Sequence, residues 1–365
     1  MAVPGSEGRA AEVKVYDADG DRLMANVTPF KGFTGTPSVV MGDIDDDGVY
    51  DLIVGAGKDH APEVVAYSGM PRGDKGPFKA ELARFEAFAS TARGGVTVAS
   101  SQIDGSTADN IIVGSGPGIP SEVRVYRSEL PAALGTAPEL FSTFSPYADD
   151  QSGVSVASGF VDFSTGRYSI VTAPGPGRPA QVKVFNFSLM TPIDKPKHAD
   201  SGPEQCRPGD AKPAVTNSFM PFGMAYRGGL SLATGWLAGS IGGAERIVVG
   251  QLASPGEVRV FSSGSALQGG PAIYLASAEH SPFVKFTEAA RLMPPGGAFG
   301  SRVATTSTTA GADLLVSGFS GDAKASKVRK YRFGRPTANA VTLQADFLSE
   351  VFSAAGSGPV ALGGD

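Results

Sequence analysis

The chain has 365 residues, 41% of them hydrophobic and 18% charged, with a formal net charge of −5. It is long enough for a large hydrophobic core, and its acidic balance without a Lys/Arg-rich run argues against a nucleic-acid partner. The single cysteine, Cys206, excludes an internal disulfide, and no apolar run is long enough for a transmembrane segment.

One short alternating strand recurs along the whole chain. Its pattern is Glu-Val-x-Val-aromatic, and the spacings between copies are 51, 59, 59, 76 and 70 residues. Apolar side chains at every second position indicate a strand with one buried face. The copies begin at Glu12, Glu63, Glu122, Gln181, Glu257 and Lys327.

Three further elements accompany this strand. An almost wholly apolar run, such as DLIVGAG from Asp51, precedes it and is typical of a strand buried on both faces. A pair of phenylalanines, such as Phe85 and Phe88, follows it and is interpreted as an aromatic anchor between neighbouring units. A segment of small residues alternating with Val or Leu, such as GGVTVAS from Gly94, comes next and suits an innermost strand around a central axis.

Four strands in a fixed order, without helical segments, predict the blades of an all-β propeller. The repeats predict six four-stranded antiparallel blades in a single domain over residues 1–365. One blade is expected to be split between the termini, with GPVALGGD from Gly358 supplying the innermost strand of the N-terminal sheet and so removing exposed sheet edges. The alternative is a fragment of a seven-bladed propeller.

The first complete repeat contains an acidic loop between its first two strands. The segment GDIDDDGVYD from Gly42 follows the pattern D-x-D-x-D-G-x-x-D, in which alternate carboxylates converge on one point. Ca²⁺ takes about 6–8 oxygen ligands, so the loop predicts a calcium site. The predicted ligands are Asp43, Asp45, Asp47, Asp51 and the carbonyl oxygen of Val49.

The combination GDIDDDG–YDLIVGAG–EVVAY resembles the FG-GAP repeat, of the VCBS type, found in integrin α-subunit propellers and many bacterial surface proteins. The resemblance covers nearly the whole chain as a pattern, although the metal motif is intact only once. In that family the loop holds Ca²⁺, which implies the same for the four aspartates here. The resemblance also implies a role in cell adhesion.

The equivalent loop of the second complete repeat keeps only part of the pattern. Its segment SQIDGSTADN has oxygen donors at the ligand positions, but only one of the four is charged. It predicts an empty loop or a weak second metal site, and the later repeats are expected to have metal-free hairpins. The four positions are Gln102, Asp104, Ser106 and Asn110.

A ligand-binding face is expected where the loops between second and third strands meet the blade-to-blade connections. Arg and Tyr are favoured in contact surfaces, although each such residue alone is more often merely solvated. The candidates are Arg93, Tyr147, Asp149, Tyr226, Arg227 and Arg291.

The third complete repeat carries a long Pro-rich, polar insertion at residues 189–216. Loops of this length are usually functional or mobile. The insertion is expected either to grip a neighbouring subunit or to be a tolerated surface excursion.

No catalytic motif accompanies these features, and the three histidines stand in no catalytic spacing. The sequence therefore predicts a non-catalytic, calcium-stabilised interaction module that binds a protein partner or joins a larger assembly. A carbohydrate-binding lectin is the alternative, and a carboxylate-based propeller hydrolase or lyase is less favoured. A weak calcium site favours an extracellular, cell-surface or periplasmic location, although residues 1–12 lack the features of a secretory signal.

Overall fold

The computed structural model of the protein is all-β and describes a defined set of residues. No α-helix occurs among them, and hence no helix with the length and apolarity needed to cross a membrane. The described ranges are 2–3, 10–17, 22–127, 136–162, 165–187, 211–237, 244–263, 286–293, 300–308, 311–318, 325–333 and 345–355.

The strands form one three-stranded and five four-stranded antiparallel sheets. Each sheet is an up-and-down meander, because its strands are neighbours in chain order. The three-stranded sheet, here called the N-terminal sheet, contains β1 (Ala2–Val3), β2 (Glu12–Tyr16) and β3 (Leu23–Val27).

The five four-stranded sheets are propeller blades and are numbered in chain order. Blade one contains β4 (Ser38–Gly42), β5 (Asp51–Gly55), β6 (Glu63–Tyr67) and β7 (Glu81–Glu86). Blade two contains β8 (Val96–Ser101), β9 (Asn110–Ser115), β10 (Val123–Tyr126) and β11 (Leu140–Phe144). Blade three contains β12 (Val154–Gly159), β13 (Ser169–Pro174), β14 (Val182–Asn186) and β15 (Ala214–Phe219). Blade four contains β16 (Leu230–Gly235), β17 (Arg246–Gln251), β18 (Val258–Ser263) and β19 (Phe286–Leu292). Blade five contains β20 (Ser301–Thr308), β21 (Gly311–Gly318), β22 (Ala325–Phe333) and β23 (Ala345–Ala355).

The hydrophobic core consists of clusters that each lie between two consecutive sheets. The alternating third strand explains this arrangement, since successive side chains point to opposite faces of a strand. In blade two, Val123 and Val125 pack toward blade three, whereas Tyr126 packs toward blade one. The second strands β5, β9 and β13 are buried at every position, as their apolar sequences predict.

Aromatic pairs join consecutive blades, which confirms the interpretation of the phenylalanines as anchors. The aromatic residue of the Glu-Val-x-Val-aromatic motif, on the third strand, meets a phenylalanine on the outermost strand of the preceding blade. The ring centroids are 4.8 Å apart in each of three such pairs, namely Phe85–Tyr126, Phe144–Phe185 and Phe219–Phe261.

A basic residue in the third strand forms a second link to the preceding blade. Arg124 Nη1 donates to the carbonyl oxygen of Ala87 at 2.7 Å, and its guanidinium lies 4.8 Å from the ring centroid of Phe88. Arg259 makes the same two contacts with Pro221 and Phe222. The variable position of the Glu-Val-x-Val pattern therefore has a structural role that the alternation alone did not predict.

Blade one lacks this basic residue and replaces it from the adjacent strand. Val65 stands at the variable position of β6, and its cross-strand partner on β7 is Arg84. Arg84 Nη2 donates to the carbonyl oxygen of Pro29 at 3.2 Å. The N-terminal sheet is thus linked to blade one as each blade is linked to the next, and a shared cluster that includes Val13 and Val65 packs the two together.

The innermost strands of all five blades line a central cavity of about 230 Å³, as their small alternating residues predict. Hydroxyl groups connect these strands directly through hydrogen bonds to backbone carbonyls. One set donates to the following blade, namely Thr97 to Val154, Ser155 to Leu230 and Ser231 to Ser301. The other set donates to the preceding blade, namely Ser158 to Ser100, Thr234 to Ser158 and Thr305 to Thr234.

The predicted number of blades needs correction. The described residues form five four-stranded blades and the three-stranded N-terminal sheet, whereas the prediction was six blades with one of them split between the termini. The segment 358–365, predicted to complete the N-terminal sheet, lies outside the described residues.

The predicted insertion at 189–216 extends too far toward the C-terminus. Ala214–Thr216 belong to β15, where Ala214 pairs with Asn186 of β14. Residues 188–210 lie outside the described part of the chain. Directly before β15, the carbonyl oxygen of Ala211 accepts a hydrogen bond from Ser142 Oγ at 2.5 Å, so the returning chain contacts blade two.

The aromatic pairing predicts a large cost for Phe185→Ala. Phe185 is 4% exposed, so removal of its ring leaves a cavity between blades two and three. We expect a loss of about 3–5 kcal/mol in the free energy of unfolding, measured by urea denaturation. Val215→Ala is the matched control, because Val215 pairs with Phe185 across the sheet but is 43% exposed. Equal costs for the two variants would contradict the anchoring role.

Candidate metal centre

The acidic loop is shaped by its own carboxylates. Asp43 accepts hydrogen bonds from the N–H groups of Asp47 and Gly48, at 3.1 and 2.9 Å. Gly48 has a φ of +81°, a conformation that favours glycine and closes the turn. The sequence D-x-D-x-D-G therefore folds locally into a tight connection between β4 and β5.

Three of the five predicted ligands come together. Carboxylate oxygens of Asp43, Asp45 and Asp51 all lie within 4.8 Å of one another. The side chain of Asp45 is 10% exposed, and its Oδ1 atom is buried without a hydrogen-bond partner. Carboxylate oxygens are the ligands that hard divalent cations prefer, so this cluster could hold a metal ion.

The other two predicted ligands stand beside this cluster. Asp47 Oδ1 accepts a hydrogen bond from the N–H of Val49 at 3.0 Å. Asp47 Oδ2 lies 3.7 Å from Arg72 Nη2. The N–H group of Val49 is therefore held by one oxygen of Asp47, while the other oxygen of Asp47 faces Arg72.

The electrostatics of the loop are those of an acidic site short of positive charge. Burial, and then the negative charges of Asp45 and Asp47, raise the pKa of Asp51 to about 7. Hydrogen bonds from the N–H groups of Gly69 and Ile44, at 2.9 and 3.1 Å, oppose this shift. Burial and the charge of Asp47 also raise the pKa of Asp45. A bound cation would favour the ionised form of each carboxyl group and reverse these shifts.

Sequence reasoning missed Arg72, which contacts the loop from the connection after β6. Its Nη2 atom donates to Asp45 Oδ2, and its Nε donates to Ser68 Oγ at 2.9 Å. The metal motif covers only residues 43–51, so it contains no signal for a cation supplied from this connection.

The acidic loop is also part of the contact between blades one and two. The N–H of Asp43 donates to Asp109 Oδ2 at 3.1 Å, and the N–H of Asp109 donates to the carbonyl oxygen of Asp43 at 2.7 Å. Blades three and four repeat this double contact through Phe160 and Glu245. The metal loop of blade one is therefore one instance of a recurring inter-blade connection.

The corresponding loop of blade two closes by hydrogen bonds within the protein. Asn110, at the position of Asp51, accepts from the N–H groups of Ile103 and Asp104 and donates to the carbonyl oxygen of Tyr126 at 3.1 Å. Asp104 Oδ1 accepts from Ser106 Oγ at 2.6 Å, and its Oδ2 lies 3.5 Å from Arg127 Nη1. Gln102 Nε2 donates to the carbonyl oxygen of Thr107 at 2.6 Å. The side chains at all four positions thus have hydrogen-bond or ion-pair partners within the protein, which disfavours the predicted weak second site.

The residues predicted for the ligand face differ in their exposure. Arg93, Asp149 and Arg227 are exposed on the expected loops. Tyr147 is instead 1% exposed, since it takes the anchor position that Phe88 has in the preceding connection, and its hydroxyl donates to the carbonyl oxygen of Gln181 at 2.8 Å.

The two remaining candidates are engaged in the framework. Tyr226 is partly buried and its hydroxyl donates to the carbonyl oxygen of Gly229 at 3.0 Å. Arg291 lies on the outermost strand β19, not on a loop, and its Nε is 3.0 Å from both Glu257 and Glu288. Sequence position alone could not distinguish such framework residues from free surface residues.

The comparisons with known proteins give likenesses to solved structures only. No protein-family model matches the chain, and no curated protein matches it. Similar structures include the exotype rhamnogalacturonan lyase YesX, with 12% identity, a TM-score of 0.37, and coverage of 95% of this chain and 68% of that one. Rhamnogalacturonan lyase YesW has 13% identity and a TM-score of 0.35, with coverage of 72% and 50%. The PL11 rhamnogalacturonan lyase of Bacillus licheniformis has 14% identity and a TM-score of 0.37, with coverage of 84% and 63%.

These matches contradict the prediction that the chain is a non-catalytic interaction module and not an enzyme, because all three similar proteins are enzymes. That prediction was wrong to treat the lack of a known catalytic motif as evidence against catalysis. The likeness itself, with identities of 12–14% and TM-scores of 0.35–0.37, assigns no substrate and no catalytic residue to this chain. The absence of a matching family model leaves membership of the FG-GAP family a prediction.

The difference between the loops of blades one and two predicts that Asn110→Asp is destabilising. Asn110 is fully buried, and a carboxylate there would face the carbonyl oxygen of Tyr126 in place of the present N–H donor. We expect a loss of about 2–3 kcal/mol in unfolding free energy at neutral pH, by urea denaturation. Gln102→Glu adds the same charge at an exposed position of the loop and should be nearly neutral. A stability of Asn110→Asp in chelator equal to that of the unsubstituted protein would contradict the role of the Asn110–Tyr126 hydrogen bond.

Proposed function

We propose that the chain is a Ca²⁺-binding β-propeller in which the ion is held by the acidic loop of blade one. The observation that supports this most directly is the convergence of three carboxylates within 4.8 Å, with a buried oxygen of Asp45 that has no hydrogen-bond partner. Asp43, Asp45, Asp47, Asp51 and the carbonyl oxygen of Val49 are the proposed ligands.

The donor set fits Ca²⁺. All the proposed ligands are oxygen atoms, and together with water they supply the roughly 6–8 donors that Ca²⁺ takes. Burial, together with the charges of Asp45 and Asp47, raises the pKa of Asp51, and the positive charge of the ion would oppose that shift. Soft-metal ligands are absent, since the described cluster contains no cysteine or histidine.

The proposed role of the ion is to rigidify the contact between blades one and two. Asp43 carries both a proposed ligand oxygen and the backbone groups bonded to Asp109. Fixing its carboxylate would therefore also fix the inter-blade hydrogen bonds. The ion would act as an internal cross-link between the β4–β5 loop and the neighbouring blade.

The expected affinity supports export of the protein. Extracellular calcium modules typically bind with a Kd on the order of 10⁻⁴–10⁻³ M. A site of that strength fills where Ca²⁺ is abundant, so we place the protein at the cell surface, in the periplasm or outside the cell.

We propose in addition that the N-terminal sheet is an incomplete sixth blade of the FG-GAP type. It packs on blade one through the same kind of core cluster and carbonyl contact that join complete blades. Its missing innermost strand would be supplied by residues 358–365.

Calcium should raise the melting temperature of the protein, and Asp45→Asn should abolish the effect. At a calcium concentration of 10 to 100 times Kd, the stabilisation should be about 1.4–2.7 kcal/mol. Differential scanning calorimetry in CaCl₂ and in chelator measures it. Asp59→Asn is the control, since Asp59 is an exposed acid of a different loop. An unchanged melting temperature of the unsubstituted protein in calcium would refute the site.

The same preparations test whether the ion also acts in catalysis. Rhamnogalacturonan, the substrate named for the similar structures, is incubated with loaded and calcium-free protein. Cleavage that is lost in Asp45→Asn would give the ion a role in the reaction, whereas stabilisation without cleavage would restrict it to structure.

Deletion of residues 358–365 should destabilise the protein or cause it to oligomerise, because the N-terminal sheet would expose an unpaired edge. Size-exclusion chromatography and thermal melting measure the result. Deletion of the eight residues 198–205 within the insertion is the control of equal length. A monomeric truncation as stable as the control would refute the sixth blade.

A further inference from the structure

Arg72 is a cationic residue that contacts the carboxylates of the acidic loop. Its Nη2 atom donates to Asp45 Oδ2 and lies 3.7 Å from Asp47 Oδ2, so one guanidinium contacts two proposed ligands. The other oxygen of Asp45 is buried without a partner. The positive charge of Arg72 therefore satisfies only part of the site.

The backbone of Arg72 is fixed, but its side chain has room to move. Arg72 and Lys75 exchange two backbone hydrogen bonds of 3.1 Å in a tight turn. The Nε contact with Ser68 directs the side chain toward the loop. The side chain is nevertheless 47% exposed, so the guanidinium can turn into solvent without crossing packed atoms.

Two other blades also place an arginine against an acidic residue of the corresponding region. In blade two, Arg127 follows β10 and lies 3.5 Å from Asp104, the counterpart of Asp45. In blade five, Arg332 on β22 makes two hydrogen bonds of 2.7 Å with Asp313, the counterpart of Asp51 rather than of Asp45. A guanidinium from the third strand, or from the connection after it, thus recurs as a counter-charge to acidic residues at or beside this loop, and blade one combines it with the full set of proposed metal ligands.

We propose that Arg72 competes with the metal ion for the acidic loop and so sets the calcium affinity of the protein. In the metal-free state the guanidinium neutralises Asp45 and Asp47, and metal binding displaces it into solvent. This inference rests on the proposed calcium site and adds the residue that controls its occupancy.

The two cations exclude each other for electrostatic and steric reasons. Ca²⁺ lies about 2.3–2.6 Å from its oxygen ligands, so an ion on Asp45 and Asp47 would stand within a few ångströms of the guanidinium. Two like charges at that separation repel, and the guanidinium must leave. Displacement costs little, because a half-exposed ion pair contributes only modestly to stability.

Arg72→Gln should strengthen calcium binding. It removes the competing charge and leaves the four aspartates in place, and we expect the Kd for Ca²⁺, measured by isothermal titration calorimetry, to fall about three- to tenfold. Arg72→Lys, which keeps the charge, should remain within about twofold of the unsubstituted protein. Arg22→Gln is the matched control for net charge, because Arg22 is exposed and pairs with Asp17, a residue outside the acidic loop. Circular dichroism of each calcium-free variant verifies folding.

The outcomes separate this inference from the calcium proposal. An unchanged or higher Kd for Arg72→Gln, when the unsubstituted protein binds Ca²⁺, would overturn the competition and leave the site intact. Binding by Arg72→Gln alone would support the competition in its strongest form. If neither protein binds Ca²⁺, the calcium site is refuted and the inference falls with it.

Discussion

The lateral packing of one sheet against the next is the interaction on which the rest of this structure depends. The third strand of each blade provides it, because its two faces serve two neighbours. The valines face the following blade, and the basic and aromatic residues face the preceding one, as Arg124 and Tyr126 do toward Ala87. No blade contains its own complete core, so stability is shared between adjacent repeats, as in other repeat proteins.

The acidic loop takes part in this packing. Through Asp43 and Asp109 it connects blades one and two by one hydrogen bond between backbone groups and one from the N–H of Asp43 to the carboxylate of Asp109. Blades three and four reproduce both bonds through Phe160 and Glu245, without the D-x-D-x-D-G motif. The inter-blade connection therefore does not depend on the D-x-D-x-D-G motif, and in blade one the carboxylates of that motif accompany the connection without forming it. This explains how the loops of the other blades can lose ligand residues while the fold is kept.

The sequence predicted those features that are encoded locally. Strand type followed from alternation, and Asp43, Asp45 and Asp51 converge because they belong to one short turn. The contacts of Arg72 and Arg84 were not predicted. Their partners Asp45 and Pro29 lie more than 20 residues away in the sequence, and the repeat pattern does not indicate that these residues meet. Tyr147 was wrongly placed on the exposed face for a similar reason. The local sequence around an aromatic residue in a connection does not show whether its ring faces solvent or fills an anchor position.

Arg84 takes the place of the basic residue that β6 lacks. The effects of mutations at positions 65 and 84 on stability therefore depend on each other. A consensus-based redesign would place a basic residue at Val65, because the other repeats carry one at this position, namely Lys14, Arg124, Lys183, Arg259 and Arg329. An arginine there would bring a second guanidinium group to the single carbonyl oxygen of Pro29. Removal of Arg84 would become tolerable only after that change. The repeats of this chain are therefore similar in structure but not interchangeable in sequence. A consensus sequence of the repeats would lose the compensation of Val65 by Arg84.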